Sequence, residues 1–282
     1  MKKPIRRELA DTELGVDNPL NFAVSARDAD VLRMVREAVR HNNCTLAFQP
    51  VVQAADMDQV SFYEGLIRVL DASGRVIPAR QFMPVAENAP IGRELDRLAL
   101  AKGCRALSLV PDLRLAVNMS ARSIGYRPWM NTLQHWLGKD DSIGPRLILE
   151  VTESSAMMVP ELVVDFMDRL QSSGICFALD DFGAGFTALR YFKDFFFDII
   201  KIDGQFVRGV SGDTDNQVLT QALTQLGKQF DMVVVAENVE SGEDAAYLAA
   251  IGVDCLQGYH FGAPRTNPEW LRTARGRERR RA

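Results

Sequence analysis

The chain has 282 residues, 47% of them hydrophobic and 25% charged, which excludes bulk disorder and allows one large buried core. A net charge of −4 argues against a dedicated binder of DNA or RNA polymers, which would carry a basic face. No apolar run approaches the roughly 18 residues of a membrane span, and Met1-Lys2-Lys3-Pro4 leads into charge rather than a signal core, so no membrane insertion and a cytoplasmic location are expected.

Residues 1–27 are polar, with Pro4 and Pro19, and read as an N-terminal arm. A helix is expected across 28–42, with Val31, Leu32, Val35 and Val39 on one face. Strand and helix signals then alternate. Strands are expected near 45–53, 59–66, 114–118, 146–151, 175–180, 198–202, 232–237 and 254–257, and helices near 92–109, 160–173, 216–229 and 242–251. Eight strands over one domain, 28–273, match the rhythm of a (β/α)8 TIM-like barrel, with a doubly wound open sheet second because no GxGxxG turn follows the first strand. The link Ala54–Asp58 is too short for a crossover helix, so the first two strands should form a hairpin and one strand should run antiparallel. Residues 274–282 hold the run Arg275-Gly276-Arg277-Glu278-Arg279-Arg280-Arg281, which reads as a solvated, mobile basic tail.

The strand ends carry the chemistry. Glu64 follows Phe62-Tyr63, Asn118 follows Val117, and Glu150 follows Leu149, with Thr152 and Glu153 beyond it. Asp180 and Asp181 follow Leu179, Lys201 and then Asp203 follow Ile200, Glu237 follows Ala236, and Gln257 follows Leu256. One acid at a strand end is usually a helix cap or a solvated group. Seven strands closing on oxygen donors or an ammonium at one rim are not explained by capping. Grouped acids raise each other's pKa unless divalent cations neutralise them. His41, His135 and His260 are scattered, and Cys44, Cys104, Cys176 and Cys255 form no CxxC pair. A metal here would therefore be held through oxygen, which favours magnesium or manganese, while the lone thiols suit a reducing compartment.

These motifs together resemble the EAL-domain phosphodiesterases, which hydrolyse cyclic di-GMP to linear pGpG. The signature stands as Glu64-Gly65-Leu66, followed in family order by Asn118-Met119-Ser120, Glu150-Val151-Thr152-Glu153, Asp180-Asp181-Phe182-Gly183, Lys201-Ile202-Asp203, Glu237-Asn238-Val239-Glu240 and Gln257-Gly258-Tyr259. The resemblance implies that Glu64, Asn118, Glu150 and Asp180 bind one metal ion, and that Asp180 bridges to a second held with Asp181 and Glu237. It places Lys201 against the attacking water with Gln257 nearby, and it gives Gln49 and Arg68 to substrate binding. Glu153 would hold the loop Phe182–Leu189. A homodimer is implied through helices near that loop.

Four positions depart from the family pattern: Gly65 for alanine, Asn238 for glycine, Val69 for an aromatic or histidine, and Phe186 for tyrosine. None removes a ligand-type residue. Asparagine is among the better substitutes for glycine if position 238 requires φ > 0. The alternative is a catalytically weak or inactive EAL domain serving as a cyclic di-GMP receptor or protein-interaction module. No cyclase-type or sensory domain is expected within the some 30 residues upstream of the barrel.

Overall fold

In the computed structural model, which describes residues 19–71, 73–185 and 193–281, the strands close into a barrel. The strands are β1 (Cys44–Gln53), β2 (Val60–Leu70), β3 (Val76–Pro78), β4 (Leu115–Asn118), β5 (Leu147–Thr152), β6 (Cys176–Phe182), β7 (Ile199–Ile202), β8 (Val233–Ala236) and β9 (Cys255–Gln257). Their order is β1-β9-β8-β7-β6-β5-β4-β2-β3, and a β1–β2 pairing closes eight of them into the barrel, leaving β3 on the outer edge of β2. β1 runs antiparallel to both neighbours, and every other barrel pairing is parallel. The short 54–58 link therefore has the hairpin consequence that its length requires.

The main helices are α1 (Pro19–Arg40), α2 (Met83–Ala86), α3 (Pro90–Leu109), α4 (Arg127–Lys139), α5 (Glu153–Ala156), α6 (Pro160–Gln171), α7 (Gly204–Val207), α8 (Thr214–Gln229), α9 (Gly242–Ala250) and α10 (Glu269–Arg281). Several begin with proline in the first turn, where its missing N–H costs nothing. Two expectations need correction. The helix placed at 28–42 begins at Pro19, inside the expected arm. The expected mobile basic tail is α10, a helix to Arg281. Arginine is a good helix former, and the tail is anchored by Leu271, which is buried, and by Trp270, whose ring packs against Phe48 and Tyr63.

Side chains alternate along each strand, so residues two apart share a face. One buried cluster draws a residue from each of the eight barrel strands: Val51, Phe62, Ala116, Ile148, Ala178, Ile199, Val235 and Cys255. This is an apolar layer inside the barrel. The main core lies outside, between strands and helices, and includes Trp129 and Phe166. A smaller core joins Val35 of α1, Cys44 and Val69 of the hairpin, Ile77 of β3 and Phe82 to Leu95 of α3. It supports the stretch of hairpin that continues past the rim. No described helix is long and apolar enough to cross a membrane.

Candidate active site

Two residues further along each parallel strand from that apolar layer stand Glu64, Asn118, Glu150, Asp180, Lys201, Glu237 and Gln257. On antiparallel β1 the step reverses, from Val51 back to Gln49, which pairs with Glu64. The pleat thus turns one apolar layer into a polar one directly above it.

Lys201 is the hub, 0% exposed. Its Nζ lies 2.6 Å from Glu237 Oε1, 3.1 Å from Glu150 Oε2, 3.1 Å from Asp180 Oδ1 and 3.5 Å from Glu64 Oε2. Asn118 Nδ2 donates to Glu64 Oε1 at 2.7 Å, and Gln257 Nε2 donates to Glu64 Oε2 at 2.6 Å and Gln49 Oε1 at 3.3 Å. Gln49 Nε2 is held by the carbonyl of Gly262 at 3.1 Å.

Four carboxylates around one ammonium do not balance. Burial, then the charges of Glu64 and Asp180, holds the Glu150 carboxyl well above the usual carboxylate range, with Lys201 opposing. Burial and then Asp180 do the same to Glu237. For Glu64, burial pushes upward but is overcome by Lys201 and by donation from Gln257 and Asn118, so its pKa is lowered. Burial of Lys201 opposes its charge, yet Asp180, Glu150, Glu237 and Glu64 outweigh this and raise its pKa well above the ordinary lysine value. With no cations bound, these acids therefore hold Lys201 in its charged form.

Asp180 and Asp181 would point to opposite faces of a regular strand. Here the β6–β7 register shifts between Leu179 and Phe182, and Asp181 takes φ 56°, a left-handed conformation that is costly for a residue other than glycine. The irregularity brings one carboxylate oxygen each of Asp180, Asp181 and Glu237 within 4.8 Å of one another. Burial, then the charges of Asp180 and Asp203, raises Asp181 to about 7. Glu153 is buried, and its Oε2 accepts from Gly183 N at 2.9 Å. Gly183 has φ 90°, a turn geometry open mainly to glycine. Residues 186–189 of the expected loop, with Phe186, lie outside the described residues.

Among the described residues, four buried side-chain polar atoms have no hydrogen-bond partner, and three of them are Glu150 Oε1, Asp180 Oδ1 and Gln257 Oε1. Asp180 Oδ1 has its ion pair with Lys201, but at an angle that forms no hydrogen bond. Buried oxygens without donors are costly, and a donor set of carboxylates and amides suits hard divalent cations. The residues present therefore fit a magnesium or manganese centre.

A cleft of about 340 Å³ opens above this layer, lined by Gln49, Glu64, Asn118, Asp180, Glu237 and Gln257, with Leu66, Ile67, Ala79 and Met83 as its apolar wall. Arg68 stands at its edge, within electrostatic reach of Glu64 and of the exposed Tyr259, and its Nη1 donates to the Ile67 carbonyl at 2.9 Å. Thus the residues singled out from the sequence come to one rim, with Arg68 beside the cleft rather than lining it. The apolar wall was not foreseen, because Ala79 and Met83 belong to a short segment with no periodic signal. Asn238 also lines the cleft, and its φ of 54° meets the condition under which asparagine substitutes for glycine. Its side chain lies over Gly204, where an added Cβ would fall 2.1 Å from Asn238 Nδ2.

Comparison with known proteins agrees with this geometry. The family model described as EAL domain matches residues 32–264. An uncharacterized signaling protein of Caulobacter vibrioides is 34% identical over 239 residues, covering 83% of this chain and 29% of that protein. The bifunctional diguanylate cyclase/cyclic di-GMP phosphodiesterase MucR of Pseudomonas aeruginosa is 29% identical over 239 residues, covering 83% and 35%. The chain thus spans about a third of the length of these relatives. A solved structure of the MucR phosphodiesterase in complex with c-di-GMP superposes with a TM-score of 0.76 at 28% identity, covering 84% of this chain and 97% of that one.

Proposed function

The chain belongs to the EAL domain family, and from that premise we propose that it hydrolyses cyclic di-GMP to linear pGpG with two divalent cations, magnesium or manganese. The observation that carries the proposal is the polar layer itself: carboxylates outnumber the one buried ammonium, and the buried Glu150 Oε1 and Gln257 Oε1 have no hydrogen-bond partner. Glu64, Asn118, Glu150 and Asp180 would hold one ion. Asp180, Asp181 and Glu237 would hold the other. When bound, such ions neutralise charge developing on a phosphodiester and acidify water.

The chain's own groups do the rest. Lys201 contributes positive charge beside the reacting phosphate and orients the attacking water. Gln257 donates both its Nε2 contacts to protein oxygens, leaving Oε1 to accept from that water. Arg68 offers a planar fork of donors to a phosphate or a guanine edge, and Gln49 contacts substrate at the cleft floor. The apolar wall of Ile67, Ala79 and Met83 suits a purine face. Glu153 acts through Gly183, fixing the turn that follows the paired aspartates. A receptor without turnover, the second reading, is disfavoured because the chain carries every ligand-type residue of the motif set, and the changes at Gly65, Asn238 and Phe186 remove none of them.

Incubating the protein with cyclic di-GMP and Mg2+ or Mn2+, then separating the nucleotides, tests the proposal. Accumulating pGpG, abolished by EDTA, is expected; unchanged substrate with both metals at neutral and alkaline pH would overturn it. We further infer a homodimer through the region of α6, where Met158, Leu162 and Phe196 are large exposed apolar side chains and Gln171 Nε2 ties the helix to the Phe196 carbonyl at 2.7 Å. Light scattering checks it, with a Leu162→Glu variant expected to be monomeric. The cysteines Cys44, Cys104, Cys176 and Cys255 are all free thiols, which supports a cytoplasmic setting.

A further inference from the structure

The basic run at the C-terminus has no part in the catalytic cleft. Residues 269–281 contain six arginines against two glutamates, although the whole chain has a net charge of −4. Folded as α10, this segment packs beside α3 and closes a cleft of about 320 Å³ that shares no lining residue with the catalytic one. Lys102 and Arg105 enter it from α3, and Arg275 and Arg279 from α10. Among the described residues one carboxylate answers these four cations: Glu278 Oε2 lies 3.4 Å from Arg105 Nη2. Among the described residues the hydrogen-bond partner of Lys102 Nζ is neutral, Asn42 Oδ1 at 3.2 Å.

A solvated basic helix would spread its charges into water. Here cations from two separate elements converge on one concavity, and Arg275 and Arg279 stand one turn apart, a spacing at which like charges repel. Burial, followed by the charges of Arg105 and Arg275, pushes the Lys102 ammonium below the ordinary lysine value. Apolar side chains also line the cleft, among them Leu109 and the buried Leu271. Three planar guanidinium forks and an ammonium around a concave, partly apolar cleft match the oxygens of a phosphoryl group better than a carboxylate, which two arginines would already saturate. The exposed part of α10, Arg272–Arg280, has no large apolar side chain to insert into a bilayer, which argues against a membrane-surface helix.

We propose that the cleft between α3 and α10 is a binding site for the phosphoryl group of a small soluble anion, held by Lys102, Arg105, Arg275 and Arg279. This site is independent of the reading of the catalytic rim. Inorganic pyrophosphate and GMP, titrated separately by calorimetry in EDTA to keep divalent ions from the catalytic cleft, test it and distinguish a bare phosphate from a nucleotide.

Saturable binding of at least one probe is expected, weakened about tenfold or more by Lys102→Gln with Arg275→Gln, as loss of charge-assisted contacts requires. The thermal transition should stay in place, and Arg275→Lys should recover part of the affinity. Arg279→Gln alone, on the exposed helix, gives a second variant whose folding is not at risk, and it too should weaken binding. Absence of saturable binding by either probe, or binding that the double variant retains, would overturn the proposal. So would binding confined to phosphatidylserine-containing vesicles, which would make the arginines a membrane-surface patch.

Discussion

The barrel interior contains two adjacent layers built by the same eight strands, and they behave as opposites. The lower one, Phe62, Ala116, Ile148 and their neighbours, is apolar and packed. The upper one, a single pleat step away, gathers four carboxylates, two amides of glutamine, one of asparagine and a lysine. Burying acids beside each other costs stability unless something compensates, whereas the lower layer gains by leaving water. The same backbone thus separates a layer that holds the fold from a layer that strains it for chemistry.

Mutations should separate the two. In the upper layer, Asp180→Ala or Glu64→Ala should lower hydrolysis by at least about a thousandfold, because several kcal/mol of transition-state stabilisation go with the ion site. Asp180→Ala should not lower the melting temperature of the metal-free protein, since it removes one of the crowded acids, whereas Glu64→Ala also leaves the Asn118 and Gln257 amides without their acceptor and should lower it. In the lower layer, Phe62→Ala should cost about 3–5 kcal/mol in denaturant unfolding while the folded fraction keeps its activity. If Phe62→Ala removed activity from fully folded protein, or Asp180→Ala unfolded it, the division would fail.

Lys201→Met sharpens the contrast because it breaks the upper layer from the other side. It leaves the acids without their buried cation and should destabilise metal-free protein by about 3–5 kcal/mol, an effect that saturating Mg2+ partly reverses. A Lys201→Met protein as stable as wild type in EDTA would contradict the hub assignment.

A pH effect follows from Asp181, raised to about 7. A carboxyl with a raised folded pKa holds its proton more tightly folded than unfolded. Its contribution is therefore present in full below about pH 4 and lost as pH climbs toward 7. Thermal melts in EDTA should show this loss in wild type and lack it in Asp181→Asn. Divalent ions compete with that proton, so metal affinity should rise over the same window.

Smaller effects are expected outside the two layers. Glu153→Gln keeps the fold but weakens the contact to Gly183 N, and roughly a 10–100-fold loss in kcat is expected with little change in melting temperature. Asn238→Ala places an ordinary side chain at φ 54° and should cost about 1 kcal/mol in denaturant titration.

Much of this was legible in the sequence because the barrel amplifies simple signals. Apolar runs ending in Glu64, Glu150 or Lys201 mark strands and their rim end together, and the 54–58 link dictates the antiparallel β1. What was not legible depends on contacts that local pattern does not carry. The arginine run looked like a solvated tail because its composition is polar all round. It becomes α10 because Trp270 and Leu271 lock its first turn onto Phe48, Tyr63 and the core. The proximity of Asp180 and Asp181 likewise needs a register shift that adjacent acids alone do not announce.

What occupies the upper layer decides between a metal centre and a merely crowded ring of acids. Crystals grown with Mn2+ and measured at a wavelength giving manganese anomalous signal should show two peaks per chain. One is expected among Glu64, Asn118, Glu150 and Asp180, the other among Asp180, Asp181 and Glu237. No peak at Asp180, or manganese bound only elsewhere on the molecule, would contradict it.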